Sequence, residues 1–334
     1  ASDWDFALLR ARANGLSIFT RAEDIAVRRG ALDGEPVCTL TFGATVLKAD
    51  LRLDARRQFQ AVSARSWDPA AQELSERQAE DPGIRSPGDL DSEELGGVAG
   101  PSELVRRHGA LSEDEAQAWA DSTLRRSRLN RVCGRLECEG IGTVFPGDLV
   151  TLAGLGDRFN GAALVTGVRH QYDLVNGWKT NLQVGGLPQP EALGDEPSAE
   201  AAGGLAPSIN GLQLGVVVSN EDPQGEYRVR VRMPLVDDQD DGAWARVACL
   251  DAGAERGFFI RPEIGDEVLL GFLDDDPRQP VLLGMLHSSA HTAPLEGSDD
   301  NHEKLFRTRS GMRVSFDDEN SVMSLETPDG NRLT

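Results

Sequence analysis

The sequence predicts a mainly β protein with more than one domain, and three observations support this fold class. A length of 334 residues is enough for about two domains, at roughly 150 residues each. Short runs of alternating apolar and polar residues recur along most of the chain, and turns rich in Gly and Pro separate them. A stretch rich in Ala, Gly, Pro and Glu at 188–208 has the composition of a linker between domains.

The composition excludes several classes of protein. There are 34 Lys and Arg against 55 Asp and Glu, a formal net charge of −21, so no large nucleic-acid-binding surface is expected. No apolar run approaches the roughly 18 residues of a membrane-spanning helix. The segment Ala1–Asp5 has neither a basic nor an apolar region, so no signal peptide is predicted and assembly in the cytoplasm is expected.

The first part of the chain mixes helices with strands. Apolar residues at helical spacing predict a helix from Trp4, with Asp3 as its cap. Ser112, followed by a glutamate three residues later, is a capping-box pattern that predicts a helix over 112–128. Pro, Gly, Ser and acidic residues dominate 72–102, which we predict to be an exposed loop insertion. Strands are predicted at 16–19, within 37–59, and at 61–67, 130–139, 149–152, 162–172 and 178–184.

A second β module is predicted from about Leu212 to Leu286, with strands at 213–219, 227–233, 244–250, 258–260, 267–273 and 281–286. About 75 residues in short strands with Pro and Gly turns have the size of a small closed barrel. One strand points three arginines outward: Arg228, Arg230 and Arg232. They either pair with nearby acidic loops on a wet or intersubunit face, or form a glycan- or nucleic-acid-binding groove with Tyr227 and Trp244.

The tail has a different character. Its alternating runs at 312–316 and 322–326 are short and are broken by turns rich in Gly, Asp and Asn. About 30 residues of short strands cannot bury enough apolar area to be stable alone. We therefore expect the tail to complete its core with other copies of the chain, or with residues outside this sequence.

Ordered segments of the second module resemble a known family. They are 215–231, 244–248, 258–268 and 271–284, and the third contains Pro262-Glu263-Ile264-Gly265-Asp266-Glu267-Val268. Together they resemble the oligosaccharide-binding-like (OB) barrel of VgrG and phage baseplate spike proteins. The flanks agree, since 4–10 and 13–16 are similar to the hub domain of these proteins, and 306–311 and 327–331 are similar to the first turns of their trimeric β-needle. The region 67–69 is more similar to spikes of extracellular, phage-tail-like injection particles than to type VI secretion spikes.

The resemblance implies an order of domains. Family hubs usually carry a further β-barrel module before the helix at Trp4, so the hub is expected to be N-terminally incomplete. The expected order is a hub at 1–187 with the insertion at 72–102, a linker at 188–210, the OB barrel at 211–287, a connector at 288–304 and the base of a triple-stranded β-helix needle at 305–334.

The resemblance also implies a structural, non-catalytic role. The implied protein is a homotrimeric spike of a contractile injection system, which caps the tube, organises the baseplate and punctures the target membrane. Its needle seam would be lined by Met312, Val314, Phe316, Met323 and Leu325. The implied partners are a tail tube or adaptor protein, baseplate wedge proteins, a PAAR-type tip protein and, on firing, the target membrane, with no nucleic acid. The implied location is the cytoplasm during assembly and then a phage-tail-like particle.

The residues themselves predict no catalytic, cofactor or metal site. The acidic clusters at 237–241 and 274–276 lack the oxygen spacing of a calcium loop, so solvated turns are expected. His287 and His291 are four apart, but they lie in a predicted loop with no third ligand nearby. The 18 residues between barrel and needle, 287–304, cannot hold a lysozyme domain.

Two further groups of residues have no predicted chemistry. A Ser-His-Asp arrangement around His108 or His170 has no Gly-x-Ser-x-Gly elbow to support it. Cys133 and Cys138 are five apart, so in a strand they point to opposite faces and cannot form an undistorted bridge. All four cysteines, which include Cys38 and Cys249, are expected to be reduced and mostly buried.

Overall fold

The protein is described from a computed structural model, which describes residues 2–21, 23–29, 34–55, 57–84, 87–99, 103–108, 111–186, 202, 205–236 and 241–334. The chain divides into two units. The first is Ala1–Leu212 with Gly271–Val281, and the second is Gln213–Leu270 with Leu282–Thr334. The mainly β fold class is confirmed. Within the described ranges, no helix is both long and apolar enough to cross a membrane.

The first unit contains three described helices and eleven described strands. The helices are α1 (Asp3–Ala13), α2 (Ser92–Ala99) and α3 (Glu113–Leu129). The strands are β1 (Ser17–Arg21), β2 (Asp24–Arg28), β3 (Cys38–Thr41), β4 (Val46–Leu53), β5 (Ala61–Asp68), β6 (Glu73–Gln78), β7 (Glu103–His108), β8 (Val132–Glu139), β9 (Leu149–Ala153), β10 (Gly161–Asp173) and β11 (Gly177–Val184).

Most of these strands form a six-stranded sheet with the order β3-β9-β10-β11-β8-β4. Neighbours are antiparallel, except that β3 runs parallel to β9 with Cys38 opposite Val150. Side chains alternate between the two faces, and one face is apolar. Leu136, Val150 and Leu182 lie on that face and are at most 1% exposed, so the sheet has a complete core of its own.

A second sheet, of order β6-β5-β7, packs against α3. Trp119 and Leu124 of α3 contact Val62 of β5 in one buried cluster. The cap of α3 is the predicted one, because the Oγ of Ser112 accepts the Glu115 N–H at 3.2 Å. This sheet also changes the interpretation of the segment that follows β5.

The stretch 72–102 is not a loop insertion, because it contains β6 and α2. β6 lies at the edge of the sheet and pairs with β5 alone. Polar side chains occupy both of its faces, so the sequence lacks the apolar alternation by which a strand is recognised. In α2, a Cβ at Gly96 would lie 2.3 Å from the carbonyl oxygen of Gln58, so this close approach needs a residue that disfavours helices. The segment between them is held by Arg131, which is buried and donates to the carbonyl oxygen of Pro87 at 2.9 Å and to that of Leu90.

The predicted cap of α1 is also wrong by one residue. Ser2, not Asp3, is the N-cap, and its Oγ accepts the Asp5 N–H at 3.2 Å. The carboxylate of Asp5 accepts the Ser2 N–H at 3.2 Å in return. A capping box needs an acid three residues after the cap, and only Ser2 provides that spacing.

The second unit contains a closed barrel and a separate sheet. The barrel has the order β12-β13-β14-β18-β17, as predicted for the second module. The strands from this part of the chain are β12 (Gln213–Ser219), β13 (Val229–Arg232), β14 (Ala243–Val247), β15 (Ala252–Gly253), β16 (Arg256–Gly257), β17 (Glu267–Phe272), β18 (Pro280–Met285), β19 (Glu303–Arg307), β20 (Arg313–Asp317), β21 (Val322–Glu326) and β22 (Arg332–Leu333).

One predicted barrel strand is absent. The residues 258–260 follow the two-residue strand β16 and have no strand assignment, and all three side chains are exposed. A barrel strand buries alternate side chains, which these three residues do not do. The pairing at this point belongs instead to the short β15–β16 hairpin, with Ala252 opposite Gly257.

The predicted linker 188–210 lies mostly outside the described residues, as does the acidic cluster at 237–240. Near the end of that linker, Leu205 is 3% exposed and packs into the cluster formed by α3 and β5. The carbonyl oxygen of Leu205 also accepts a hydrogen bond from the Nη1 of Arg10 at 3.2 Å. This end of the segment is therefore part of the first unit's core.

Candidate functional site

The tail forms a four-stranded antiparallel sheet, β19-β20-β21-β22, which we call the needle sheet. Each strand pairs with the next one along the chain, through short turns. In the first turn, Gly311 has a φ of +93°, a conformation that side chains rarely adopt. In the second turn, the carboxylate of Asp317 accepts the Asn320 N–H at 3.0 Å. These turns set the register of the sheet.

One face of the needle sheet is apolar. Val314 lies opposite Phe306 on one side and Leu325 on the other, and Leu325 lies opposite Leu333. Residues that face each other across strands, or that are two apart along a strand, share a face. The apolar residues that share this face are Phe306, Met312, Val314, Phe316, Met323, Leu325 and Leu333.

No other part of the chain that the structure describes covers this apolar face. Phe316 is 47% exposed, Met323 is 55% exposed and Leu333 is 67% exposed. Isolated exposed apolar side chains are ordinary, but a contiguous apolar surface marks a place where another molecule binds. The face is therefore the candidate functional site of the described part of the chain.

The opposite face of the needle sheet is polar, and its groups satisfy one another. Glu326 pairs with Arg313 and with Arg332, the second pair at 3.2 Å between Nε and Oε1. The Nη2 of Arg332 also donates to the Oγ of Ser324 at 3.0 Å. The polar face can therefore stay in contact with water, whereas the apolar face gains stability when another surface covers it.

The sequence predicts five residues for the needle seam, and the structure brings all five onto the apolar face. They are Met312, Val314, Phe316, Met323 and Leu325. Phe306 and Leu333 belong to the same face and were missed, because each lies in a flanking strand whose register depends on a turn. The alternation of Leu305 and Phe306 leaves the choice of face open without that register. That these residues form a seam between chains stays a prediction.

Two of the three predicted arginines, Arg228 and Arg230, pair with aspartates, which fits the wet or intersubunit interpretation of this strand. Arg228 makes two hydrogen bonds of 2.8 Å to the carboxylate of Asp222. The Arg228 guanidinium holds the pKa of the Asp222 carboxyl well below its usual range. Arg230 pairs with Asp241 at 3.3 Å, and both guanidinium groups lie within 6 Å of the Trp244 ring centre, at 5.8 and 5.9 Å.

The remaining candidate residues do not come together into a site. His287 and His291 lie in a loop, and the Nδ1 of His291 is 3.9 Å from the carboxylate of Asp266. His170 contacts the hydroxyl of Thr180 at 3.1 Å, and the side chain of His108 lies outside the described atoms. Within the described residues, no group of three His, Cys, Asp or Glu side chains has the arrangement of a metal site.

Two of the smaller expectations can be checked directly. Asp276 of the 274–276 cluster is 6% exposed and pairs with Arg278 at 3.0 Å, so this residue is not a solvated turn. The cysteines are unbridged, and burial raises the pKa of the Cys138 thiol to about 11. Cys133 is buried as well, whereas Cys249 is exposed, which contradicts its expected burial.

Comparison with known proteins now adds to this geometry. A family model described as the Alg8 N-terminal domain matches residues 1–173, which is more than half of the 334-residue chain. The chain belongs to this family. A second model, the type VI secretion system/phage-baseplate injector OB domain, matches residues 213–287, which contain the closed barrel. The VgrG-like character implied by the sequence is confirmed.

Curated relatives match a limited part of the chain. The type VI secretion system spike protein VgrG3 of Vibrio cholerae is 30% identical over 129 residues, which are 34% of this chain and 12% of that protein. The spike protein VgrG5 of Pseudomonas aeruginosa is 32% identical over 112 residues, which are 31% of this chain and 14% of that protein. The chain thus spans a small fraction of the length of these relatives.

A solved structure aligns more broadly but weakly. A tail protein from Neisseria meningitidis aligns over 53% of this chain and 52% of its own length, with 16% identity and a TM-score of 0.37.

Proposed function

We propose that the chain is the structural central spike, or hub, of a contractile injection system, and that it works as a homotrimer. In this role it caps the tube, organises the baseplate and punctures the target membrane. The observation that carries the proposal is the uncovered apolar face of the needle sheet, in a chain whose relatives are spike proteins.

The physical reason for assembly is the size of the needle sheet. A sheet of about 30 residues with one apolar face lacks a second layer to cover that face. Copies of the same chain supply identical apolar faces, and a closed ring of copies leaves no face open. The number three follows from the resemblance to trimeric spikes, and a mass measurement tests it.

The same proposal includes the partners and the location. Within the particle, the partners are a tail tube or adaptor protein, baseplate wedge proteins and a PAAR-type tip protein, and the spike meets the target membrane on firing. The chain is assembled in the cytoplasm and then becomes part of an extracellular, phage-tail-like particle. The similarity of 67–69 to such particles supports this finer assignment over a type VI secretion spike.

The proposed role is mechanical and not enzymatic. It includes no nucleic-acid binding, in keeping with a net charge of −21 and with the pairing of Arg228 and Arg230 to aspartates. A glycan- or nucleic-acid-binding barrel is the alternative function, and it predicts a monomer whose ligand binding weakens as salt is added.

The solution mass of the chain, measured by light scattering, tests the proposal. A trimer of the 36.0 kDa chain has a mass of about 108 kDa. Deletion of 300–334, which removes the needle sheet, is expected to lower the mass toward that of the monomer. A trimer that survives this deletion contradicts a needle-driven assembly and moves the interface to another region. A monomeric full chain contradicts the trimer.

A further inference from the structure

Residues 249–261 lie between β14 and β17 of the barrel and form a segment that we call the arm. Its centre is the β15–β16 hairpin, with Ala252 opposite Gly257. Across the base of this hairpin, the Nη1 of Arg256 donates to both carboxylate oxygens of Asp251, at 2.6 and 2.9 Å. The Phe258 N–H donates to the Asp251 carbonyl oxygen at 2.9 Å. The arm is therefore an ordered structure and not a free loop.

The arm presents large apolar side chains outward. Leu250 is 92% exposed, Phe258 is 54% exposed and Phe259 is 74% exposed. The ring of Phe259 lies 5.7 Å from the guanidinium carbon of Arg261. That guanidinium is fixed in turn, because it donates to the carbonyl oxygens of Tyr227 and Asn220, each at 3.2 Å. Ordered aromatic side chains lose little conformational entropy when a partner covers them.

The arm lies next to the base of the needle sheet, within the same unit. Glu263, two residues beyond the arm, pairs with Arg309 in the β19–β20 turn at 2.7 Å. Phe259 is four residues from Glu263, so its Cα lies within about 15 Å of the Cα of Glu263. When copies share one needle, the barrel segments at its base are brought close to one another.

The charge of the arm also fits contact between copies. The arm contains two acidic residues, Asp251 and Glu255, and two basic residues, Arg256 and Arg261, so its formal charge is zero. The whole chain carries −21, and identical copies repel one another through that charge. A neutral apolar surface next to the needle is a place where copies can meet without adding to this repulsion.

We propose that the arm is a second interface between copies, in which Leu250, Phe258 and Phe259 of one chain pack against the barrel of the next. This inference rests on the proposed trimer. The contact is heterologous, since the arm of one copy meets a different surface of its neighbour, and around a threefold axis such contacts close into a ring. The trimer is thus held at two levels, along the needle and around its base.

The arm carries its own reporter, the exposed thiol of Cys249. We would measure the rate of alkylation of Cys249 by iodoacetamide in the trimer and in the Phe316→Asp variant, in which a carboxylate on the needle face prevents assembly. The Cys249→Ser variant gives the background from Cys38, Cys133 and Cys138. In that background, Leu174→Cys places a control thiol in the β10–β11 turn, where Leu174 is 92% exposed.

The expected result is that Cys249 reacts at least about tenfold more slowly in the trimer than in the monomeric variant, because alkylation then requires local opening. The thiol at position 174 is expected to react at the same rate in both. A trimer in which Cys249 keeps the monomer rate overturns the second interface and leaves the proposed function standing. A monomeric wild-type chain overturns both. If Phe316→Asp stays trimeric, the deletion of 300–334 provides the monomeric reference rate, with the same tenfold criterion.

Discussion

The six-stranded sheet of the first unit and the needle sheet each have an apolar face, but only the face of the six-stranded sheet is buried within the described part of the chain. Both are built from strands in which apolar and polar residues alternate. In the first sheet, Leu136 and Leu182 are at most 1% exposed, because other parts of the same chain cover them. In the needle sheet, the corresponding apolar row contains Leu325, which is 40% exposed, and Leu333, which is 67% exposed.

Because of this difference, substitutions in the first core and substitutions on the needle face are expected to act on different processes, folding in one case and assembly in the other. A substitution in the first core removes contacts that the single chain already makes, so it lowers the stability of every molecule, assembled or not. A substitution on the needle face removes contacts that form only between molecules, so it changes the mass of the particle and leaves the first unit intact. Four predictions use this contrast.

The largest effect is expected from Phe316→Asp on the needle face. Each copy then brings a carboxylate to the shared apolar surface, where Lys304 lies opposite it in the next strand, and burial of that charge costs several kcal/mol per copy, roughly. We expect complete loss of the trimer at micromolar concentration, measured by light scattering. Ser315→Asp is the matched control, since Ser315 is in the same strand on the opposite face, and it is expected to keep the trimer. Equal loss in both variants contradicts the assignment of the two faces.

The next largest effect is expected from Leu136→Ala in the first core. Leu136 is fully buried, and the cavity left by such a truncation typically costs about 3 kcal/mol. The measurement is the urea midpoint followed through tryptophan fluorescence, which reports mainly on the first unit because that unit contains four of the five tryptophans, Trp4, Trp67, Trp119 and Trp178. Leu325→Ala in the needle sheet is the comparison, and we expect it to leave that midpoint unchanged. A shared decrease would mean that the two sheets do not unfold independently.

A smaller, pH-dependent effect is expected from Asp222→Asn in the barrel. The hydrogen bonds from Arg228 lower the pKa of Asp222 below its ordinary value of 3.8. A lowered pKa in the folded state gives stability that is present above about pH 4 and is lost as the pH falls through the folded pKa. At pH 7 the variant is expected to lose about 1–2 kcal/mol of barrel stability, measured by urea unfolding.

The difference between Asp222→Asn and the wild type should shrink as the pH is lowered from 5 to about 2.5, because the wild-type carboxyl takes up a proton in the unfolded chain while it stays ionised in the folded chain, and this favours unfolding. Asp241→Asn is the control, since Asp241 also pairs with an arginine but its side chain is 86% exposed. Exposed pairs contribute little, so we expect no change. A pH-independent loss in Asp222→Asn would assign the effect to packing.

The smallest effect is expected from Ser112→Ala at the start of α3. The lost cap leaves the Glu115 N–H without its 3.2 Å hydrogen bond, at a cost of about 1 kcal/mol. Hydrogen exchange in the first turn of α3 measures this loss. Ser112→Asp keeps an acceptor in place and is expected to retain most of the protection. Both variants should remain trimers, and dissociation of either would show that the first unit contributes to assembly.

The sequence predicts elements well where local pattern and long-range packing agree. The strands of the barrel and the cap at Ser112 are examples, since alternation and capping residues are local signals. The five residues predicted for the needle seam follow from the resemblance to trimeric spikes, and they share one face of the needle sheet. Phe306 and Leu333 were missed because their face depends on turn geometry between strands.

The sequence fails where distant residues decide the structure. α2 contains Gly96 and Gly97, which disfavour a helix, and the close approach of the Gln58 backbone shows why a glycine is needed. Arg131 holds the segment before α2 through backbone carbonyls, a contact that leaves no trace in the local pattern. The exposure of Phe258 and Phe259 could not be foreseen either, because β-prone residues were assigned to a strand.

The pairing of each needle strand with its neighbour along the chain has a kinetic consequence. Such contacts have low contact order, so the chain can form them rapidly. The first sheet is expected to form more slowly by the same rule, because Cys38 pairs with Val150, which lies more than 100 residues further along the chain. Each chain can therefore pair its own needle strands before it meets another copy, but the sheet becomes stable only when copies cover its apolar face. Assembly then captures chains whose needle strands are already paired, at a rate that depends on concentration.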